Sequence, residues 1–211
     1  MKPKLFLAPG ACSLAPHICL IEAGADFDCV QVNLREGDQR KPEYLAINPQ
    51  GRVPAIVTQQ GVLTENPAVL EWIARSWPAA RLAPLEDSWG LAQVNSFNAF
   101  IASSVHAAFA HIFRPERYAE GEAAAAGIKA KAIGMLEGYF ALIDARLDLG
   151  PWIHGAAFTS SDPYVYVMSR WLTRPGMGAL EPYRNLRSHI HRMQARDSVQ
   201  KALADEGLDP V

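Results

Sequence analysis

Much of what would commit a chain to a membrane, a disulfide scaffold or a nucleic acid is missing from this sequence. No apolar run approaches the ~18 residues that a membrane-spanning helix needs. Cysteine is scarce: Cys12, Cys19 and Cys29 make an odd number in 211 residues, which argues against a disulfide framework. No Cys-x-x-Cys motif is present, since Ala15 stands where the second cysteine would be. Cys12 and Cys19 fall on one predicted helix, separated by about 10 Å of rise, too far for a disulfide. The six histidines lack ligand spacing: His106 and His111 are not one helical turn apart, and His189 and His191 point to different sides of a helix. No metal is therefore expected. The net charge of -2 gives no global attraction to nucleic acid or anionic lipid, so neither is expected as a partner. Lys2 precedes only a short apolar stretch before Pro9-Gly10, not a secretory signal. The expected location is cytoplasmic.

What remains is an ordinary globular composition, 49% hydrophobic and 20% charged, in two halves of different character. Residues 1–80 alternate strand and helix patterns. Lys4 to Ala8 reads as a buried strand stopped by Pro9-Gly10. Leu14, Ile18 and Ile21 recur at helical spacing up to Gly24, and Cys29 to Leu34 reads as a second strand. A helix between two strands implies a parallel βαβ unit. After a polar stretch, Val53 to Thr58 and Val62 to Thr64 predict a hairpin. Asn66 is then a good N-cap, and Val69, Leu70, Ile73 and Trp77 form one apolar stripe. Residues 81–88, with Pro84, read as a linker. From 89 to 211 the pattern is helical: Leu91 to Phe113, Ala123 to Leu147, and a helix through Trp171 opened by Thr159-Ser160-Ser161-Asp162, with Thr159 as N-cap and Asp162 facing the first-turn amides. The basic group Arg184, Arg187, His189, His191, Arg192 and Arg196 reads as a solvated helix face. The expected fold is an α/β thioredoxin-like domain (βαβ-ββα) followed by an all-α helical bundle.

Three places carry candidate chemistry. Cys12 sits just before a helix, where unpaired amides and the helix dipole favour a thiolate, and Ser13 beside it offers a hydroxyl donor. Against this stands the reading of Cys12 as a small packed residue. Val53-Pro54 is a candidate cis peptide that turns the Val53 amide and carbonyl toward a ligand, although a trans bond is the commoner state of any isolated X-Pro. Glu65-Asn66 pairs a carboxylate with a helix start, suited to the two charged ends of an amino acid or serving simply as a cap.

In order, the segments Pro9-Gly10-Ala11-Cys12-Ser13-Leu14-Ala15-Pro16-His17, Asn48-Pro49-x-Gly-x-Val53-Pro54-Ala55 and Leu63-Thr64-Glu65-Asn66 closely resemble glutathione transferases of the bacterial, cysteine-containing beta class. The helical half is similar too, through His106, Phe113-Arg114-Pro115 and Trp152-Ile153-x-Gly155-x-x-Phe158-Thr159-x-x-Asp162. The resemblance implies a homodimer with glutathione as co-substrate. It implies that Cys12, Ser13 and His106 surround the sulfur. Arg52, Val53, Pro54, Glu65, Asn66 and Asn98 join them in holding the tripeptide, and Ala11, Phe109, Phe113 and Trp171 wall the electrophile pocket. Thr159 and Asp162 would be a structural capping box. The chain departs from the pattern at Ala107, where a lysine is usual, at Ala99, with Asn98 one position off an expected asparagine, and in a shortened Arg35 to Arg40 loop. Three functions fit: conjugation of glutathione to hydrophobic electrophiles, thiol–disulfide exchange or peroxidase chemistry through Cys12, and non-catalytic glutathione binding.

Overall fold

A computed structural model describes residues 2–211. Four strands form one mixed sheet in the order β2-β1-β3-β4, with β1 Lys4–Leu7, β2 Asp28–Gln31, β3 Ala55–Thr58 and β4 Gly61–Thr64. β1 and β2 pair in parallel, Leu5 opposite Cys29, across the connecting helix α1 (Leu14–Glu22). β3 runs antiparallel to both β1 and β4, with Ile56 set between Leu5 and Leu63. A short helix α2 (Pro42–Leu45) precedes β3, and α3 (Asn66–Ser76) follows β4. The sheet strands are shorter than the apolar runs predict: β3 starts at Ala55 after a cis Val53–Pro54 bond, and the β2 ladder ends at Gln31, followed only by the Val32 N–H reaching the Leu7 carbonyl at 2.7 Å.

The remainder is helical: α4 Ser88–Phe100, a π-helical turn Ile101–Val105, α5 His106–Phe113, α6 Glu122–Arg146, α7 Ser161–Leu172, α8 Arg184–Gln194 and α9 Asp197–Glu206. Asp87 caps α4, its side chain accepting the Trp89 N–H at 3.1 Å, so the helix starts three residues before the predicted Leu91. No helix among the described residues is long and apolar enough to cross a membrane.

Helix α7 is the central post, buried along its length except at Arg170, and it packs on α1 of the sheet half as well as on α4 and α8. Its start is fastened by Asp162. One carboxylate oxygen accepts the Thr159 N–H (2.8 Å) and hydroxyl (3.2 Å), while the other accepts the Ile153 N–H (2.9 Å) and meets His189 Nε2 at 3.0 Å. The expected pairing of Thr159 with Asp162 is therefore present, although the helix itself begins two residues later, at Ser161. His189 corrects the expected solvated basic face. It is fully buried against Asp162, and Arg196 lies over the Phe158 ring at 3.9 Å while pairing with Glu22. Only Arg184, Arg187 and His191 of that set stand exposed. Each large side chain sealed in this core, such as Phe140, Tyr166 or Ile73, contributes roughly 1.5–3 kcal/mol by burial.

Candidate functional site

The turn between β1 and α1 is clamped from the helical half. Gly10 adopts φ +68°, a conformation that L side chains resist. Its N–H donates to Glu206 Oε2 and its carbonyl accepts from Trp171 Nε1, both at 2.8 Å. Two residues on, Cys12 is nearly buried and its thiol donates to the Val53 carbonyl at 3.3 Å.

The helix-start argument for a Cys12 thiolate is right in direction and wrong in outcome. Burial pushes the thiol up to about 12, and Glu65 adds to the rise. Backbone hydrogen bonds from Cys12 and Ser13, and the Arg52 charge, oppose it without prevailing. Removing a small anion from water outweighs two amides and an exposed guanidinium. Cys12 is a thiol at neutral pH.

Ser13 has its hydroxyl taken up by the backbone of Ala8 and does not line the cleft, which corrects its expected role. It is fully buried; its hydroxyl accepts the Ala8 N–H at 3.1 Å and donates to the Ala8 carbonyl at 3.3 Å, closing the turn. Asn66 also differs from expectation. Glu65, at φ +70°, occupies the cap position, and Asn66 is the first helical residue, its amide reaching back to the Cys12 carbonyl at 3.0 Å. A positive φ on a non-glycine residue is strained and collects at functional sites. Here it brings Glu65 onto the wall of the cleft.

That cleft, about 1110 Å³, lies between the sheet half and the helices, beyond the ~300–1,000 Å³ of usual small-molecule pockets. Ala11, Cys12, Arg52, Val53, Pro54, Glu65, Asn66, His106, Phe113 and Trp171 all line it. Three predicted members do not: Ser13, already described, and two more. Phe109 is fully buried behind the wall, stacked on Phe113 at 5.8 Å and edge-on to Trp171. Asn98 is buried at the start of α7, donating to Ser160 Oγ at 3.4 Å and accepting from Ser161 Oγ at 2.9 Å.

His106 opens α5 directly after the π-helical turn, its ring edge-on to Trp171 at 5.0 Å. Burial, with a small contribution from Arg52, lowers its pKa to about 4. The imidazole is thus neutral at pH 7, able to donate one N–H.

This arrangement has counterparts among known proteins. The glutathione S-transferase N-terminal domain family matches residues 1–75. A glutathione S-transferase of Escherichia coli is 35% identical over 97% of this chain and 99% of its own. Another from Xanthomonas campestris is 33% identical over 98% of this chain and 100% of its own. This chain belongs to the glutathione S-transferase family. Its fold is matched by a Sulfitobacter glutathione transferase homologue solved with bound glutathione (TM-score 0.91, 32% identity, 99% of each chain). A beta class enzyme of Sphingomonas chungbukensis is also close (TM-score 0.86, 37% identity, 98% of this chain and 100% of that one).

Several residues at or behind the cleft were not among the site residues expected from the sequence. Glu206, at the end of α9, holds the Gly10 amide with one oxygen and His17 Nδ1, at 2.9 Å, with the other. His17 Nε2 lies 3.6 Å from Cys29 Sγ. Burial opposes the charged ring, but the contacts with Cys29 and Glu206 prevail and lift the pKa to about 9. Tyr164 lines the cleft from α7. So do Arg35 from the loop after β2, Arg114 and Arg117 just beyond α5, and Arg170 and Arg174 at the end of α7. Their convergence depends on segments more than 100 residues apart, which no local pattern reveals.

Proposed function

We propose that this transferase joins glutathione to an electrophile in the cleft, with the sulfur of glutathione, not that of Cys12, as nucleophile. Residues 1–80 hold the tripeptide and residues 89–211 supply the electrophile wall. Val53 meets the cysteinyl backbone of glutathione, and Glu65 with Asn66 receives the γ-glutamyl end. His106 donates to the thiolate. The Cys12 thiol, released from the Val53 carbonyl when glutathione takes that place, stands beside the same sulfur. Holding thiolate and electrophile together then removes much of the entropic barrier.

The observation that carries this reading is the state of Cys12. Its side chain is nearly buried and its thiol donates to the Val53 carbonyl at 3.3 Å, and that burial pushes the thiol up to about 12, the reverse of what an exchange nucleophile needs. That weighs against thiol–disulfide exchange as the main activity. The assignment extends to a cytoplasmic homodimer engaged in detoxification, with no metal required.

Turnover of glutathione with 1-chloro-2,4-dinitrobenzene above the uncatalysed rate tests the reading. Retention on immobilised glutathione, without turnover across an electrophile panel, would favour a binding protein. Intact mass after incubation with oxidised glutathione, with the modified peptide mapped, separates the third possibility: the expected result is no adduct on Cys12.

A further inference from the structure

The wall of the cleft is cationic. Arg35, Arg52, Arg114, Arg117, Arg170 and Arg174 line it, against only Glu65 and Glu206. Neither acid neutralises an arginine: Glu206 is engaged with His17 and the Gly10 amide, and Glu65 lines the cleft without an ion pair among the described residues. None of the six arginines has a carboxylate within 4.0 Å among the described residues, whereas Arg75 and Arg196 elsewhere are paired. The arginines instead repel one another. Arg117 is held below its usual pKa by partial burial and by the charges of Arg114, Arg52 and Arg40. Arg174 is lowered by burial and by Arg170 and Arg35.

Four of these cations belong to the helical wall. Arg174 lies over the rings of Phe113 (5.4 Å) and Trp171 (5.8 Å), pinned to the aromatic floor. Arg170 is anchored by the Asp209 carbonyl at 2.8 Å and contacts the Tyr166 hydroxyl at 3.3 Å. Glutathione does not exhaust this charge. Its ammonium takes Glu65 in the reading above, its γ-glutamyl carboxylate the start of α3, and its glycine carboxylate a single guanidinium. Converging unpaired cations in a cleft raise the local concentration of anions, and planar guanidinium groups match carboxylates bidentately.

We infer that the electrophile of this enzyme is an arene bearing a carboxylate, its ring entering beside Phe113 and the Arg174 stack and its anion on the arginines after α5 and at the end of α7. This rests on the conjugation reading and names its substrate class. In the test reaction the glutathione thiolate attacks the ring carbon bearing chlorine. A C–S bond forms, the C–Cl bond breaks with chloride leaving, and the thiol proton passes to solvent.

The probes are 4-chloro-3,5-dinitrobenzoate and its methyl ester, each rate divided by the uncatalysed rate with glutathione, with 1-chloro-2,4-dinitrobenzene as control. The expected result is a kcat/KM at least tenfold higher for the acid. That preference shrinks severalfold in Arg174→Met and in Arg117→Met, and also as salt rises from low to molar levels. Turnover of the control with no preference for the acid overturns this inference alone, as does a preference that neither substitution moves. Turnover of none of the three overturns the conjugation reading with it.

Discussion

Replacing His106 distinguishes a hydrogen-bond donor from a base or a charge. The imidazole is neutral above its pKa of about 4, so in the proposed reaction its contribution at pH 7 is one N–H offered to the glutathione sulfur. A hydrogen bond to a charged partner is worth about 1.5–3 kcal/mol, so His106→Leu is expected to lower kcat/KM by roughly 10–150-fold at pH 6.5. The same energy raises the pKa of bound glutathione by about 1–2 units. Leucine still fills the space beside Trp171, and His106→Asn restores part of the loss through its own N–H. The assay is kcat/KM for a chloronitroarene from pH 5.5 to 9.5. The acid limb of the wild-type profile belongs to glutathione's thiol and moves to higher pH in His106→Leu, the two profiles converging at the alkaline end. A wild-type inflection near pH 6.5 that vanishes in both variants would mean that His106 titrates in the working range, and would refute the donor role.

Two further expectations concern the scaffold. Asp162→Ala strands the amides of Ile153 and Thr159 and removes the partner of buried His189; breaking such a buried, paired carboxylate costs about 3–5 kcal/mol, or roughly 10 °C in Tm, read by thermal denaturation, and a loss below 1 kcal/mol would contradict it. For His17 the folded pKa, about 9, stands above the ordinary histidine value of 6.5, so its contribution to stability is complete below about pH 6.5 and disappears as pH rises through 9. Its ceiling is roughly 3 kcal/mol. Tm should fall between pH 6.5 and 9.5 in the wild type and fall less in Glu206→Gln; equal slopes would refute the linkage.

Elements with their own periodicity were legible in the sequence. The parallel β1-α1-β2 unit follows from a buried strand, a 3.6-residue pattern and a Gly24 stop. The hairpin of β3 and β4 follows from two short apolar runs flanking Gln59-Gln60-Gly61. The Thr159–Asp162 pairing was readable because both partners lie within one turn. What failed was what distant residues decide. Asn66 looks like an N-cap, yet the cap position goes to Glu65 because the Asn66 amide is claimed by the carbonyl of Cys12. His189 looks solvated until Asp162 is brought to it across 27 residues. Ser13 reads as a donor to sulfur, but β1 ends where the Ala8 backbone takes up its hydroxyl. Asn98 and Phe109 have suitable side chains turned away from the cleft: Asn98 is taken up by Ser160 and Ser161, and Phe109 packs behind Phe113 and Trp171. The Cys12 thiolate failed on magnitude: the dipole argument counts the amides and omits burial, which is visible only in three dimensions.

The most direct test of the central claim, that glutathione's sulfur and not Cys12 performs the attack, is kcat/KM of Cys12→Ala with glutathione and 1-chloro-2,4-dinitrobenzene, measured beside the glutathione Kd. A thiol is a weak donor, so its loss leaves kcat/KM within about tenfold of wild type. A fall to the uncatalysed rate with glutathione binding intact would contradict the account and return the chemistry to Cys12.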